Sequence, residues 1–162
     1  QAYLMPAMAL GQFCEIIMYV ILGRLLPRLG FRTVITIGLC AWALRFLVFG
    51  TVNLPVWFMV SAQAIHGVCY AFYVSTCFIY CNKIAPADIR NSAQSIFNFI
   101  WYGIGPILAV LLNALLAGWF SQSGKTLELA EFRPYWYTLG GATLVGLVIF
   151  VLLFREEKSE TN

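Results

Sequence analysis

Two ionisable residues interrupt long apolar stretches in the first third of the chain. Glu15 lies in the stretch near residues 2–26, and Arg45 lies in the next, near residues 31–52. Each is fifteen positions from Gly30, so two antiparallel helices meeting there would place both about 22 Å from the turn. The pair is interpreted either as a structural ion pair between helices, or as a proton-coupling or ligand-binding carboxylate that Arg45 tunes.

Further polar side chains share helix faces with this pair. Gln12 precedes Glu15 by one turn, and Gln63, His66 and Tyr70 recur at three- and four-residue spacing in a later apolar stretch. A lone histidine is usually structural in a soluble core, but in a lipid-spanning helix with Gln and Tyr beside it a wet cavity is favoured. Tyr70 either stacks on a flat ligand or only packs.

A third polar face contains Asn98, which lies near Asn91, Ser95 and Tyr102 at helical spacing and before the Gly105-Pro106 pair. Packing between helices would also explain this face. Together these polar residues come from three or four helices and converge near mid-membrane, which is the layout of a substrate site in a carrier.

The elements that must position these residues are predicted from composition. Hydrophobic residues make up 61% of the chain and charged residues 10%, whereas a soluble domain carries about 25% charged residues. Apolar residues run on without two-residue alternation, and a helical span needs about 20 of them. The sequence predicts an all-α, polytopic transmembrane helix bundle. Its five spans lie near residues 2–26, 31–52, 55–81, 92–120 and 135–154.

The basic residues predict an orientation. The connections after the first and third spans and the tail at 155–162 hold seven, and the other two connections hold two. Because Lys and Arg mark cytoplasmic loops, the N-terminal end is predicted outside and the tail in the cytoplasm. The net charge of +3 is then a topology signal, with no indication of nucleic acid binding.

Enzymatic chemistry is not indicated. The sequence shows no nucleophile with base and orienting partner, no paired acidic metal ligands and no phosphate loop. The five cysteines are interpreted as small packing residues, so no metal or cofactor is expected. The chain starts at Gln1 and is apolar almost at once, and we expect it to be the C-terminal part of a longer protein.

Two connecting segments resemble those of the major facilitator superfamily. Residues 23–32, GRLLPRLGFR, resemble its cytoplasmic loop signature, with Pro27 in place of the aspartate. Residues 86–94, PADIRNSAQ, resemble the matching segment before helix 11. The resemblance implies that residues 1–154 are helices 8 to 12 of a larger bundle, whose other wall comes from missing N-terminal helices of the same protein.

More narrowly, the chain resembles the bacterial nucleoside:proton symporters of that superfamily. The similarity is carried by residues 12–15 (QFCE), 41–46 (AWALRF), 66–72 (HGVCYAF) and 89–94 (IRNSAQ). It implies a nucleoside and a proton as partners in the inner membrane. It also implies Gln12 and Glu15 as nucleoside ligands, with His66 and Tyr70 at aromatic substrate positions.

The first hypothesis is therefore part of a proton-coupled nucleoside carrier that works by alternating access. The alternative is a major facilitator carrier for another small polar solute, such as a sugar. A non-transporting membrane subunit or a membrane enzyme is less favoured, because catalytic groups at a membrane edge are not visible in the sequence.

Overall fold

The computed structural model describes residues 4–51, 54–120 and 132–155, and every regular element in these ranges is helical. The elements, in chain order, are α1 (Leu4–Phe49), α2 (Val56–Ala62), α3 (Ile65–Cys69), π1 (Tyr70–Ser75), α4 (Thr76–Ile84), α5 (Arg90–Asn98), π2 (Phe99–Ile104), α6 (Gly105–Phe120) and α7 (Phe132–Leu153). The all-α fold class is confirmed. Helices dominate because they satisfy their own backbone hydrogen bonds, which lipid cannot do.

Among the described residues, four helical runs are long and apolar enough to cross a membrane. They are Ala9–Phe49, Val60–Ile84, Arg90–Leu116 and Arg133–Leu153. The middle two each contain a π-helical turn between α-helical parts, and we call them rod 2 and rod 3. The sequence predicted five spans, and this count is not confirmed, because the first two predicted spans both fall within the single run Ala9–Phe49.

That first run is broken at Gly30. Gly30 has φ 77° and ψ 166°, a left-handed φ that glycine adopts without steric cost. Glu15 and Arg45 would lie about 45 Å apart on a straight helix, yet both contact His66. The two parts of α1, residues 4–29 and 31–49, therefore fold back on each other at Gly30. We call them α1a and α1b.

Rod 2 packs tightly against both parts of α1. The core cluster joins Leu22 of α1a and Val34 of α1b to Ala71 and Phe72 of π1. Along α7, the ring of Trp136 lies against the Phe46 ring of α1b, with centroids 6.0 Å apart. These contacts hold α1, rod 2 and α7 together.

Rod 3 and α7 are the most exposed parts of the described fold. In the most apolar 18-residue stretch of each of these two runs, only 6% is buried, against 33% in the corresponding stretch of rod 2. Such exposed apolar surface suits contact with lipid or with other helices. Residues 2–3, residue 52, most of the fourth predicted connection and all but the first residue of the predicted tail lie outside the described ranges.

Candidate functional site

The candidate site is centred on His66 in α3 of rod 2. Glu15 Oε1 lies 3.1 Å from His66 Nε2, and Arg45 Nη1 lies 3.2 Å from His66 Nδ1. The His66 side chain is 30% exposed and that of Glu15 is 19% exposed. The sequence considered a direct pairing of Glu15 with Arg45, whereas the structure places the imidazole of His66 between them.

Helix packing brings these three residues together. Gly67 follows His66 and lets rod 2 approach the backbone of α1a: an added Cβ there would lie 2.6 Å from the Cys14 carbonyl carbon. The turn at Gly30 returns α1b along the same rod, so that Arg45 reaches the other ring nitrogen. His66 is thus held between the two antiparallel parts of α1.

Gln63, which the sequence placed on the His66 face without giving it a role, holds the far side of Arg45. Arg45 Nη2 donates a hydrogen bond of 2.8 Å to Gln63 Oε1. The guanidinium carbon lies 5.1 Å from the Phe49 ring centroid and 5.9 Å from that of Trp42, distances within cation–π range. The one-turn spacing of Gln63 and His66 places both on one face of rod 2, but it does not by itself link Gln63 to Arg45.

Tyr70 connects the site to rod 3. Its ring centroid lies 6.1 Å from that of His66, and its hydroxyl lies 2.7 Å from the Tyr102 hydroxyl of π2. Both tyrosines belong to π-helical turns, and such turns often occur at functional sites. The sequence placed each tyrosine on a polar face, but it did not predict the bond between them.

We expect the Tyr70–Tyr102 bond to stabilise the contact between rods 2 and 3 measurably. Tyr70→Phe, Tyr102→Phe and the double variant of the full-length protein form a double-mutant cycle in thermal unfolding. The expected coupling free energy is about 0.5–1.5 kcal/mol, the usual net value of one hydrogen bond. Additive effects of the two single changes would contradict the prediction.

Gln12 and Asn98 lie outside the hydrogen-bonded cluster. Both side chains are exposed. Gln12 is one turn before Glu15 on α1a, and Asn98 is the last residue of α5. Within the described part of the chain, neither side chain makes a hydrogen bond, so the structure leaves both available to a ligand or to other helices.

The arrangement suits proton and hydrogen-bond chemistry. A carboxylate accepts protons and hydroxyl hydrogen bonds, and an imidazole both donates and accepts. Over residues 4–51, 54–120 and 132–155, no three His, Cys, Asp or Glu side chains converge as a metal site would require.

Comparison with known proteins assigns the chain to a family. The sequence model described as Nucleoside H+ symporter matches residues 2–159. The chain belongs to this family. By its description, this is a family of transporters.

Individual proteins similar to this chain agree with the family match. The chain is 29% identical to YegT of Escherichia coli (strain K12), over 94% of its own length and 37% of that protein's. It is 26% identical to the nucleoside permease NupG of the same strain, over 91% of its own length and 35% of that protein's. A crystal structure of the nucleoside transporter NupG superposes with a TM-score of 0.81 at 24% identity, covering 92% of this chain and 37% of that one. The last match shows a shared fold, and the chain spans little more than a third of each relative.

Proposed function

We propose that the chain forms helices 8 to 12 of a carrier that moves a nucleoside together with a proton by alternating access. The family match along residues 2–159 supports this proposal. The observation that carries it is the cluster of Glu15, His66 and Arg45 inside apolar helices. Ionisable groups at such a depth are costly and mark ion or substrate pathways.

The proposal includes five membrane crossings. The backbone break at Gly30 supports two crossings by α1, one for each part, followed by rod 2, rod 3 and α7. The charge distribution supports a cytoplasmic tail at residues 155–162 and insertion in the inner membrane. Helices from the rest of the protein would form the opposite wall of the site.

The site residues fit a nucleoside chemically. The Glu15 carboxylate accepts hydrogen bonds from ribose hydroxyls, and the Gln12 and Asn98 amides both donate and accept at base edges. The Tyr70 ring, beside His66, offers an aromatic face for the base. Protonation of Glu15 removes its charge and lowers the cost of moving it through the membrane as the carrier changes conformation.

Uptake by the full-length protein in proteoliposomes tests the proposal. We expect saturable uptake of radiolabelled uridine that rises when the outside is made more acidic than the inside and falls when a protonophore collapses the gradient. Unlabelled nucleosides should compete, and sugars should not. Competition by a sugar but by no nucleoside would favour the alternative carrier, and no saturable uptake of any nucleoside would refute the proposal.

A further inference from the structure

We propose that Arg45 is a positioning residue that fixes the tautomer of His66, so that the ring donates its Nε2–H to Glu15 and directs the incoming proton to that carboxylate. The inference rests on the proposed function in taking Glu15 as the proton acceptor. It adds roles for Arg45 and Gln63 that act through His66 and need no contact with the substrate.

The tautomer follows from the atoms in contact. An arginine guanidinium has only hydrogen-bond donors, and its Nη1 lies 3.2 Å from His66 Nδ1. Nδ1 must therefore accept with its lone pair. In the neutral ring the other nitrogen then carries the hydrogen, and Nε2 lies 3.1 Å from Glu15 Oε1. A continuous donor chain runs from Arg45 through His66 to Glu15.

Arg45 is itself held in place from two sides. Its Nη2 is bonded to Gln63 Oε1 at 2.8 Å, and its guanidinium lies near the rings of Trp42 and Phe49. Gln63 lies on the same rod as His66, one turn earlier. The two terminal guanidinium nitrogens thus contact two residues of rod 2, which fixes the direction from which Nη1 approaches the ring.

This arrangement decides where a proton binds. A proton on His66 Nδ1 would place its N–H against the N–H of Arg45 Nη1. The hydrogen bond between these two nitrogens would therefore have to break first. A proton on Glu15 forms one O–H bond to the carboxylate and breaks no bond in the cluster, and its release reverses this step. Arg45 therefore keeps the ring neutral and leaves Glu15 as the acceptor.

Other titratable groups near His66 do not contact its ring nitrogens. Glu15 and Arg45 from α1 and Tyr70 from rod 2 lie around the ring, and Cys69 of rod 2 lies near Arg45. Tyr102 of rod 3 contacts the Tyr70 hydroxyl. Among the residues that the structure describes, Arg45 and Glu15 alone contact the two nitrogens.

Nitrogen NMR of the full-length protein, labelled with ¹⁵N-histidine, tests the assignment. The signals of His66 are those that disappear in His66→Gln. In the unmodified protein we expect Nδ1 to be unprotonated and Nε2 protonated. Arg45→Met should lose this bias, giving mixed tautomers or an imidazolium, and Arg45→Lys should restore it because its ammonium still donates to Nδ1.

Two results would overturn the inference: a proton on Nδ1 in the unmodified protein, or an unchanged tautomer in Arg45→Met. If Arg45→Met does not fold, Gln63→Leu provides the second test. It removes one hold on the guanidinium and should shift the tautomer populations in the same direction. An unchanged tautomer there, beside an unfolded Arg45→Met, would also count against the inference.

Uptake separates this inference from the proposed function. The tautomer is measured without substrate, so an absence of nucleoside uptake refutes the proposed function and leaves the tautomer result standing. Where uptake is proton-coupled, Arg45→Met should shift its pH profile by a pH unit or more. Coupled uptake with an unchanged profile in that variant would refute the positioning role alone.

Discussion

Replacing Glu15 by glutamine is expected to abolish nucleoside accumulation against a gradient. One proton moving down one pH unit supplies about 1.4 kcal/mol, which sustains an accumulation of about tenfold. Glutamine can still accept the Nε2–H of His66 through its side-chain oxygen, so the local hydrogen bond is kept. It cannot bind and release the proton, so the internal nucleoside concentration should not exceed the external one. The measurement is steady-state accumulation in proteoliposomes at a fixed pH difference.

A matched control removes one carboxylate charge at a position outside the site. Asp88 lies in the exposed connection between rods 2 and 3, and Asp88→Asn also removes one carboxylate. We expect its accumulation to match that of the unmodified protein. The thermal unfolding temperature of Glu15→Gln in detergent should stay near that of the unmodified protein. Full accumulation in a folded Glu15→Gln protein would refute the coupling role of Glu15.

The sequence predicted the helical fold because the bilayer restricts the choice so strongly. A chain with this many apolar residues and so few charges must satisfy its backbone within each segment. The same restriction made Glu15, Arg45 and His66 conspicuous, since each carries a cost that an apolar neighbour does not. For Glu15 and Arg45, a similar depth was predicted by counting residues away from Gly30.

The sequence did not predict which of these residues would touch. Residue counting fixes how far along a helix a side chain lies, but the order of groups across the bundle depends on helix rotation and packing. His66 therefore intervenes between Glu15 and Arg45, and Gln63 became a partner of Arg45. Neither contact follows from spacing within one helix.

The π-helical turns were also not predicted. Tyr70–Ser75 carries no local sequence signal that separates it from ordinary α-helix, and the Gly105-Pro106 pair after Phe99–Ile104 indicates a weakened helix without specifying a π turn. A π turn inserts an extra residue into the hydrogen-bond ladder and shifts the faces of the side chains that follow. The poorer backbone hydrogen bonding of a π turn persists where tertiary contacts compensate for it. Here these contacts include the hydrogen bond between Tyr70 and Tyr102.

Glycines illustrate the same limit and lead to the second large effect. The structure places Gly67 in close contact with α1a, where an added Cβ would lie 2.6 Å from the Cys14 carbonyl carbon and 2.8 Å from the Glu15 nitrogen. At Gly141 in α7, an added Cβ would meet no atom within 4 Å. Both glycines are helical, so only the packing distinguishes them.

Gly67→Val is expected to destabilise the protein by about 1–3 kcal/mol or more, the usual cost of overpacking. The clashing atoms belong to the backbone of α1a, which cannot rotate away as a side chain can. Rod 2 and α1a must therefore separate, and the contact between Glu15 and His66 should lengthen with them. Thermal unfolding of the full-length protein in detergent measures the loss of stability.

Gly67→Ala and Gly141→Ala form the matched pair that isolates packing from helix propensity. Alanine is favoured over glycine in a helix by about 1 kcal/mol, so Gly141→Ala should unfold at the same temperature as the unmodified protein or higher. Gly67→Ala has the same propensity gain but adds its methyl group against backbone, and it should unfold at a lower temperature. Because Gly67 adjoins His66, its variant should also weaken proton-coupled accumulation, whereas Gly141→Ala should not. Equal unfolding temperatures for the two alanine variants would show that α1a and rod 2 do not meet as closely at Gly67 as the structure places them.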